Sequence, residues 1–117
     1  MKKMKKMSAS IRLCLSGSED FSTAFGPGTA QLLQGIEKYH SLNKACKDMG
    51  MAYSKAWKAI KKTEEQLGFE LIERHGPKGS SLTTKGEKIL RIYEKMQEAL
   101  QRTVQEIFEK EDFFENN

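Results

Sequence analysis

The stretch that decides the fold is SLNKACKDMGMAYSKAWKAI, Ser41 to Ile60. Within it Leu42, Ala45, Cys46 and Met49 fall at i, i+3, i+4 and i+7, the apolar stripe of a short amphipathic helix, with Ser41 placed to cap its start and Gly50 to stop it. Only Met51 and Ala52 separate that stop from a second helical pattern, closed by Gly68. In this second pattern Ala56, Trp57, Ile60 and Leu67 share one side, which makes Trp57 a core anchor, and Lys55, Lys58, Lys61 and Lys62 occupy the other. Two helices joined by so short a turn have the proportions of a helix-turn-helix.

Outward from this pair, the C-terminal side continues with Phe69-Glu70-Leu71-Ile72-Glu73-Arg74, expected as a strand, then the Gly/Pro loop His75 to Ser80, then Ser81-Leu82-Thr83 returning as the second strand of a hairpin. From Thr84 the apolar spacing is helical for about 25 residues, or nearly 40 Å at about 1.5 Å per residue. On the N-terminal side, Thr29 is the expected cap of a first helix carrying Leu32, Leu33 and Ile36 to Tyr39-His40, and Ile11 to Leu15 alternates with the period of a half-buried strand. The fold class that follows is mainly α with a small β-hairpin: a winged helix-turn-helix plus a long C-terminal dimerisation helix. The expected organisation is a basic flexible arm over 1–10, a DNA-binding domain over 11–86, and the C-terminal helix over 87–117, with Phe113 to Asn117 as a frayed end.

Charge placement supports the same reading. The chain has 117 residues and a net charge of +4, with 38% hydrophobic and 31% charged residues, which fits one folded domain. Six lysines (44, 47, 55, 58, 61 and 62) face a single acid, Asp48, between Lys44 and Lys62, whereas from Thr84 onward eight acids face six bases. A basic second helix before a Gly/Pro hairpin is the arrangement by which a helix enters the major groove and a wing reaches the neighbouring backbone.

The candidate contacts with double-stranded DNA follow from position. Tyr53, Ser54, Lys55 and Lys58, at the start of a recognition helix over about 53–67, face base edges; Lys61 and Lys62 face phosphate; Ser41, Asn43 and Lys44 brace the first helix against the backbone. Arg74, His75 and Lys78 belong to a wing over about 74–80, on the adjacent minor groove or its phosphates. The Lys2-Lys3 and Lys5-Lys6 arm is open to two readings, added phosphate attraction or an unstructured tail. Tyr93, Met96, Leu100, Val104 and Ile107 form the seam of a homodimer, because so long a helix outruns the core of a small domain.

No nucleophile with a His partner, metal-ligand cluster or phosphate-cradling loop is present in the sequence, so an enzyme, a cofactor and a metal are not expected. Cys14 and Cys46 stand far apart and are expected reduced and buried. No apolar run is long enough to cross a bilayer, the basic start lacks the apolar segment of a signal peptide, and a cytoplasmic location is expected. The competing function is a winged helix used only for protein–protein assembly.

The segment Gly35 to Gly86 resembles the N-terminal DNA-binding domain of the ModE family of molybdate-responsive transcriptional regulators, and more distantly the LysR-type regulators. Ser41 to Ile60 carries the likeness, with Glu64, Leu67-Gly68, Leu71-Ile72-Glu73-Arg74 and Leu82-Thr83-Thr84-Lys85-Gly86. Ala52 departs from it, standing where such regulators often carry a capping Ser, a loss of about 1 kcal/mol at the start of the reading helix. No part of the chain resembles the family's molybdate-binding domains. The resemblance therefore implies the fold and DNA binding, and molybdate is not expected as a ligand of this chain alone.

Overall fold

A computed structural model of the chain describes residues 7–17 and 23–111. The elements run β1 (Leu15–Ser16), β2 (Thr23–Phe25), α1 (Pro27–Tyr39), α2 (Leu42–Met49), α3 (Tyr53–Leu67), β3 (Ile72–Arg74), β4 (Ser80–Leu82) and α4 (Thr84–Lys110). The molecule is a winged helix-turn-helix followed by a long helix, mainly helical, with β3 and β4 as the antiparallel wing and β1 paired to β2. The lysine arm and the end from Phe113 lie outside the described residues.

The core gathers Leu32, Leu33 and Ile36 of α1, Leu42, Ala45 and Cys46 of α2, Ala56 and Ile60 of α3, Leu71, Ile72 and Leu82 around the wing, and Leu90 and Tyr93 of α4. Helix boundaries follow local chemistry. Ser41 accepts a hydrogen bond from the Lys44 N–H at 3.2 Å, and Gly50 ends α2 in the left-handed region at φ 67°. α1 begins two residues before the Thr29 expected as its cap. Gly26 precedes Pro27, whose fixed φ and missing N–H suit the first helical turn.

The strand after α3 is shorter than the sequence pattern predicts. The Leu71 N–H is taken by the buried Glu64 carboxylate at 2.7 Å, and the Glu70 carbonyl accepts from the Thr83 hydroxyl at 2.7 Å, so ladder pairing starts only at Ile72. Thr83 also caps α4 by accepting from the Gly86 N–H at 2.9 Å. α1 and α4 are tied on their exposed side by Arg91, which donates to Glu37 and Glu94, while the Gln34 amide donates to Glu94 at 2.9 Å.

Ile11 to Leu15 has the expected alternation, but only Leu15, in β1, pairs with a strand, and the residues before it lie along a helix. Gln97, Gln101 and Gln105, one turn apart on α4, accept from the N–H groups of Leu13, Ile11 and Ala9 at 3.2, 3.1 and 3.0 Å. Gln97 and Gln101 also donate to the carbonyls of Ile11 and Ala9 at 2.8 and 2.7 Å. The periods nearly match, since four helical residues rise about 6 Å and two strand residues about 6.6 Å. Tyr93 completes the row, its hydroxyl donating to the Leu13 carbonyl at 2.7 Å, with its ring 5.2 Å from that of Phe25.

Three expectations are corrected here. Tyr93 is buried within the monomer, at 4% exposure, and is not part of an exposed seam. Cys14 is exposed, because the strand's alternation turns Leu13 and Leu15 inward, whereas Cys46 is buried and burial pushes its thiol pKa up. Trp57 is half-buried at the edge of the core and is not one of its centre residues.

Candidate nucleic-acid interface

The first turns of α2 and α3 and the wing meet around one cleft of about 420 Å³, lined by Ser41, Leu42, Asn43, Tyr53, Arg74, Gly76, Gly79 and Ser80. Local geometry builds it. His40, at φ 54°, ends α1 in a left-handed turn, and its carbonyl accepts from the Ser80 N–H at 3.0 Å, pinning the wing to the α1–α2 corner. Gly79 allows that approach, since a Cβ there would lie 2.1 Å from the His40 oxygen and the residue has φ +96°.

Of the twelve positions expected to face DNA, the cleft brings together Ser41, Asn43, Tyr53 and Arg74. Arg74 donates to the Tyr53 hydroxyl, and its guanidinium carbon lies 4.4 Å from the Trp57 ring centroid. Lys44, Ser54, Lys55, Lys58 and Lys62 are exposed, the last three at i, i+3 and i+7 along one face of α3. At the wing tip Lys78 is exposed at the end of a short 3₁₀ turn over Gly76–Lys78, and the His75 ring contacts the Ser81 hydroxyl at 2.8 Å and lies 3.9 Å from Glu73.

Lys61 differs from its neighbours. Its ammonium lies 3.2 Å from Glu64 and 4.6 Å from the Trp57 ring centroid, so its charge is partly engaged within the chain. The sequence reading assigned Glu64 no positioning role and took Trp57 for a core anchor only. Glu64, 7% exposed, holds the Leu71 N–H and thereby the entry to the wing, while Trp57 is the shelf on which Arg74 and Lys61 rest. An acidic residue among core positions of a helix is the available signal for the first, because a carboxylate is rarely buried without partners.

The arrangement offers a cationic helix face, two helix starts and a positively charged wing on one side of the molecule, which suits a polyanion. Among the described residues no helix is long and apolar enough to cross a membrane.

The profile of the bacterial regulatory helix-turn-helix proteins of the lysR family matches residues 29–87, half of the chain and all of the elements from α1 to the first turn of α4. No curated protein matches. Among solved structures, that of ArgP from Mycobacterium tuberculosis is similar with a TM-score of 0.57 and 26% sequence identity, over 72% of this chain. This chain spans 31% of the length of that protein.

Proposed function

From the premise that this chain belongs to the lysR family of bacterial regulatory helix-turn-helix proteins, we propose that it is a cytoplasmic, sequence-specific regulator that binds double-stranded DNA as a homodimer. α3 reads the major groove through Tyr53, Ser54, Lys55 and Lys58, and Lys62 meets phosphate. The wing, with Arg74, His75 and Lys78, lies on the adjacent minor groove or backbone, and Ser41, Asn43 and Lys44 brace α2 against the strand. The observation that carries this reading is the single cleft in which the starts of α2 and α3 meet the base of the wing. One backbone phosphate there would face all three elements. The likeness to the molybdate-responsive regulators is kept as a likeness of sequence, and no molybdate site is assigned.

The homodimer rests on α4. The domain occupies 11–86, and α4 carries onward beyond it in a molecule 61 Å long and 33 Å across. Its exposed apolar residues are Ile92 at 45%, Leu100 at 38% and Ile107 at 57%. With half-buried Ile89, Met96 and Val104 they form a stripe suited to a second helix.

Titration of a labelled duplex selected from genomic fragments, followed by anisotropy at rising salt, tests the function. A regulator loses affinity steeply with salt through counterion release and prefers the selected site over random DNA. A winged helix serving only protein assembly has no duplex affinity to titrate.

A further inference from the structure

At the base of the wing Ser80 is only 9% exposed, yet no hydrogen bond among the described residues reaches its hydroxyl. Buried hydroxyls are nearly always paired. Among the described residues no fully sealed side-chain oxygen or nitrogen lacks a partner, so this hydroxyl opens into the cleft that Ser80 lines with Ser41, Asn43, Tyr53 and Arg74.

The other groups around that cleft present donors. Ser41 Oγ accepts from the Lys44 N–H and Tyr53 Oη accepts from Arg74, so each hydroxyl keeps its own proton to donate. The carbonyls of His40, His75, Gly76 and Gly79 are taken by the N–H groups of Ser80, Lys78, Gly79 and His75. The starts of α2 and α3 add backbone N–H groups, and α3 has no side-chain cap to occupy its own. No acid lines the cleft. Donors gathered around a guanidinium suit a tetrahedral oxyanion, which carries acceptors on every side.

We infer that this cleft is a seat for one tetrahedral oxyanion, filled by a free phosphate-class ion in the protein alone and by a backbone phosphate in the DNA complex. The second half rests on the DNA reading above, and the first does not. Ser80, which the sequence pattern did not place among the DNA contacts, becomes a ligand of the phosphate. The Tyr53 hydroxyl turns to the same phosphate and leaves only its ring to the bases. Because the two occupants exclude one another, a free oxyanion lowers duplex affinity by more than its share of the ionic strength.

The full chain is titrated with inorganic phosphate, with chloride at matched ionic strength as the reference, and followed by amide chemical shifts. The expected result is saturable shifts at Asn43, Tyr53, Ser54 and Ser80 with phosphate and none with chloride. Ser80→Ala and Tyr53→Phe should each raise the phosphate dissociation constant about three- to tenfold, and Arg74→Ala at least about tenfold. Tyr53 is exposed, so its variant reports even where Ser80→Ala disturbs the wing. Shifts that do not saturate, or that follow the lysines of α3 and bypass Ser80, overturn the seat. An unchanged constant in Tyr53→Phe and Ser80→Ala overturns it as well.

A labelled duplex selected from genomic fragments then separates the two sources. Phosphate should displace it more strongly than chloride at equal ionic strength, and the difference should vanish when Ser80→Ala and Tyr53→Phe are combined. Equal displacement by the two ions in the wild type overturns the shared seat. A chain with no duplex affinity overturns the DNA reading, while the phosphate titration still decides the oxyanion site.

Discussion

Arg74 in the wing lies over Trp57 of α3, its guanidinium carbon 4.4 Å from the ring centroid. This contact joins α3 to the hairpin without passing through the core, so the angle between the two elements proposed to face DNA depends on a half-buried aromatic side chain. A cation over a ring near the surface contributes about 0.5–1 kcal/mol. Trp57→Ala is therefore expected to cost roughly 2 kcal/mol in urea unfolding, below the ~3–5 kcal/mol of a fully buried aromatic residue. Duplex affinity is expected to fall beyond that of Arg74→Ala, because Lys61 and Arg74 both lose their shelf. A stability loss at the full core value makes Trp57 a core anchor after all.

The lysines of α3 are expected to separate by role. Lys55→Ala and Lys58→Ala should each cost on the order of 1–3 kcal/mol on a selected site and much less on random duplex, because the proposed docking puts these side chains nearest the groove floor. Lys62→Ala should weaken all sequences alike and flatten the salt slope by about one. Lys61→Ala should change the slope less than Lys62→Ala, since Glu64 and Trp57 already engage its ammonium. Equal losses on selected and random DNA for all four lysines would remove this division.

Glu64 accepts from the Leu71 N–H inside the core. Glu64→Ala leaves that N–H without its partner and is expected to cost about 1–3 kcal/mol. Glu64→Gln keeps an acceptor oxygen and should cost less. Amide exchange at Leu71 reports the loss directly, and unchanged protection in the Ala variant would mean that the wing entry is held by other contacts.

The parts of this fold that were legible in the sequence are those governed by neighbouring residues. Ser41, Gly50 and Gly68 mark helix ends because capping and left-handed turns are decided within a few positions. Which face of α4 is buried is decided by distant residues instead. Tyr93 and Ile92 are adjacent in sequence and about 100° apart around the helix, and apolar spacing alone does not say which of them meets Phe25 and Leu13. The bonds of Gln97, Gln101 and Gln105 join residues 84, 90 and 96 positions apart, which no local pattern reports. At the candidate site the outward lysines were legible from their period, whereas the engagement of Lys61 depends on a buried carboxylate and an aromatic shelf that charge counting does not register.

The two cysteines should react differently. Cys46 is buried in α2 and its raised pKa keeps it protonated at neutral pH, whereas Cys14 is exposed. A thiol reagent is expected to label one cysteine in the folded protein and two in denaturant, with Cys14→Ser abolishing the native signal. Because the shift is upward, protection of Cys46 is expected to persist through neutral pH and to weaken only as the solution becomes alkaline. Rapid native labelling of Cys46 contradicts its placement.

The glutamine row on α4 sets the last expectation. Gln97, Gln101 and Gln105 each present an acceptor to the backbone of alternate residues of the segment Ala9 to Leu13, and the first two present a donor as well. A Gln amide is the side chain that satisfies a strand's N–H and C=O together, because it carries both groups at the end of a reach of two methylenes. Each such bond contributes about 0.5–1.5 kcal/mol net. Gln101→Ala is then expected to release Ile11 N–H and Ala9 C=O, and to lower stability by about 1–2 kcal/mol. Gln101→Glu keeps the acceptor for Ile11 but sets a carboxylate against the Ala9 carbonyl, so it should loosen residue 9 and spare residue 11. Hydrogen exchange resolves the two cases: the amides of Ala9, Ile11 and Leu13 should be protected in the wild type, all three less so in a Gln97→Ala, Gln101→Ala double variant, with α3 and the wing unaffected. Amides in 9–13 that exchange at the rate of an unfolded chain in the wild type would show that the strand does not lie along α4.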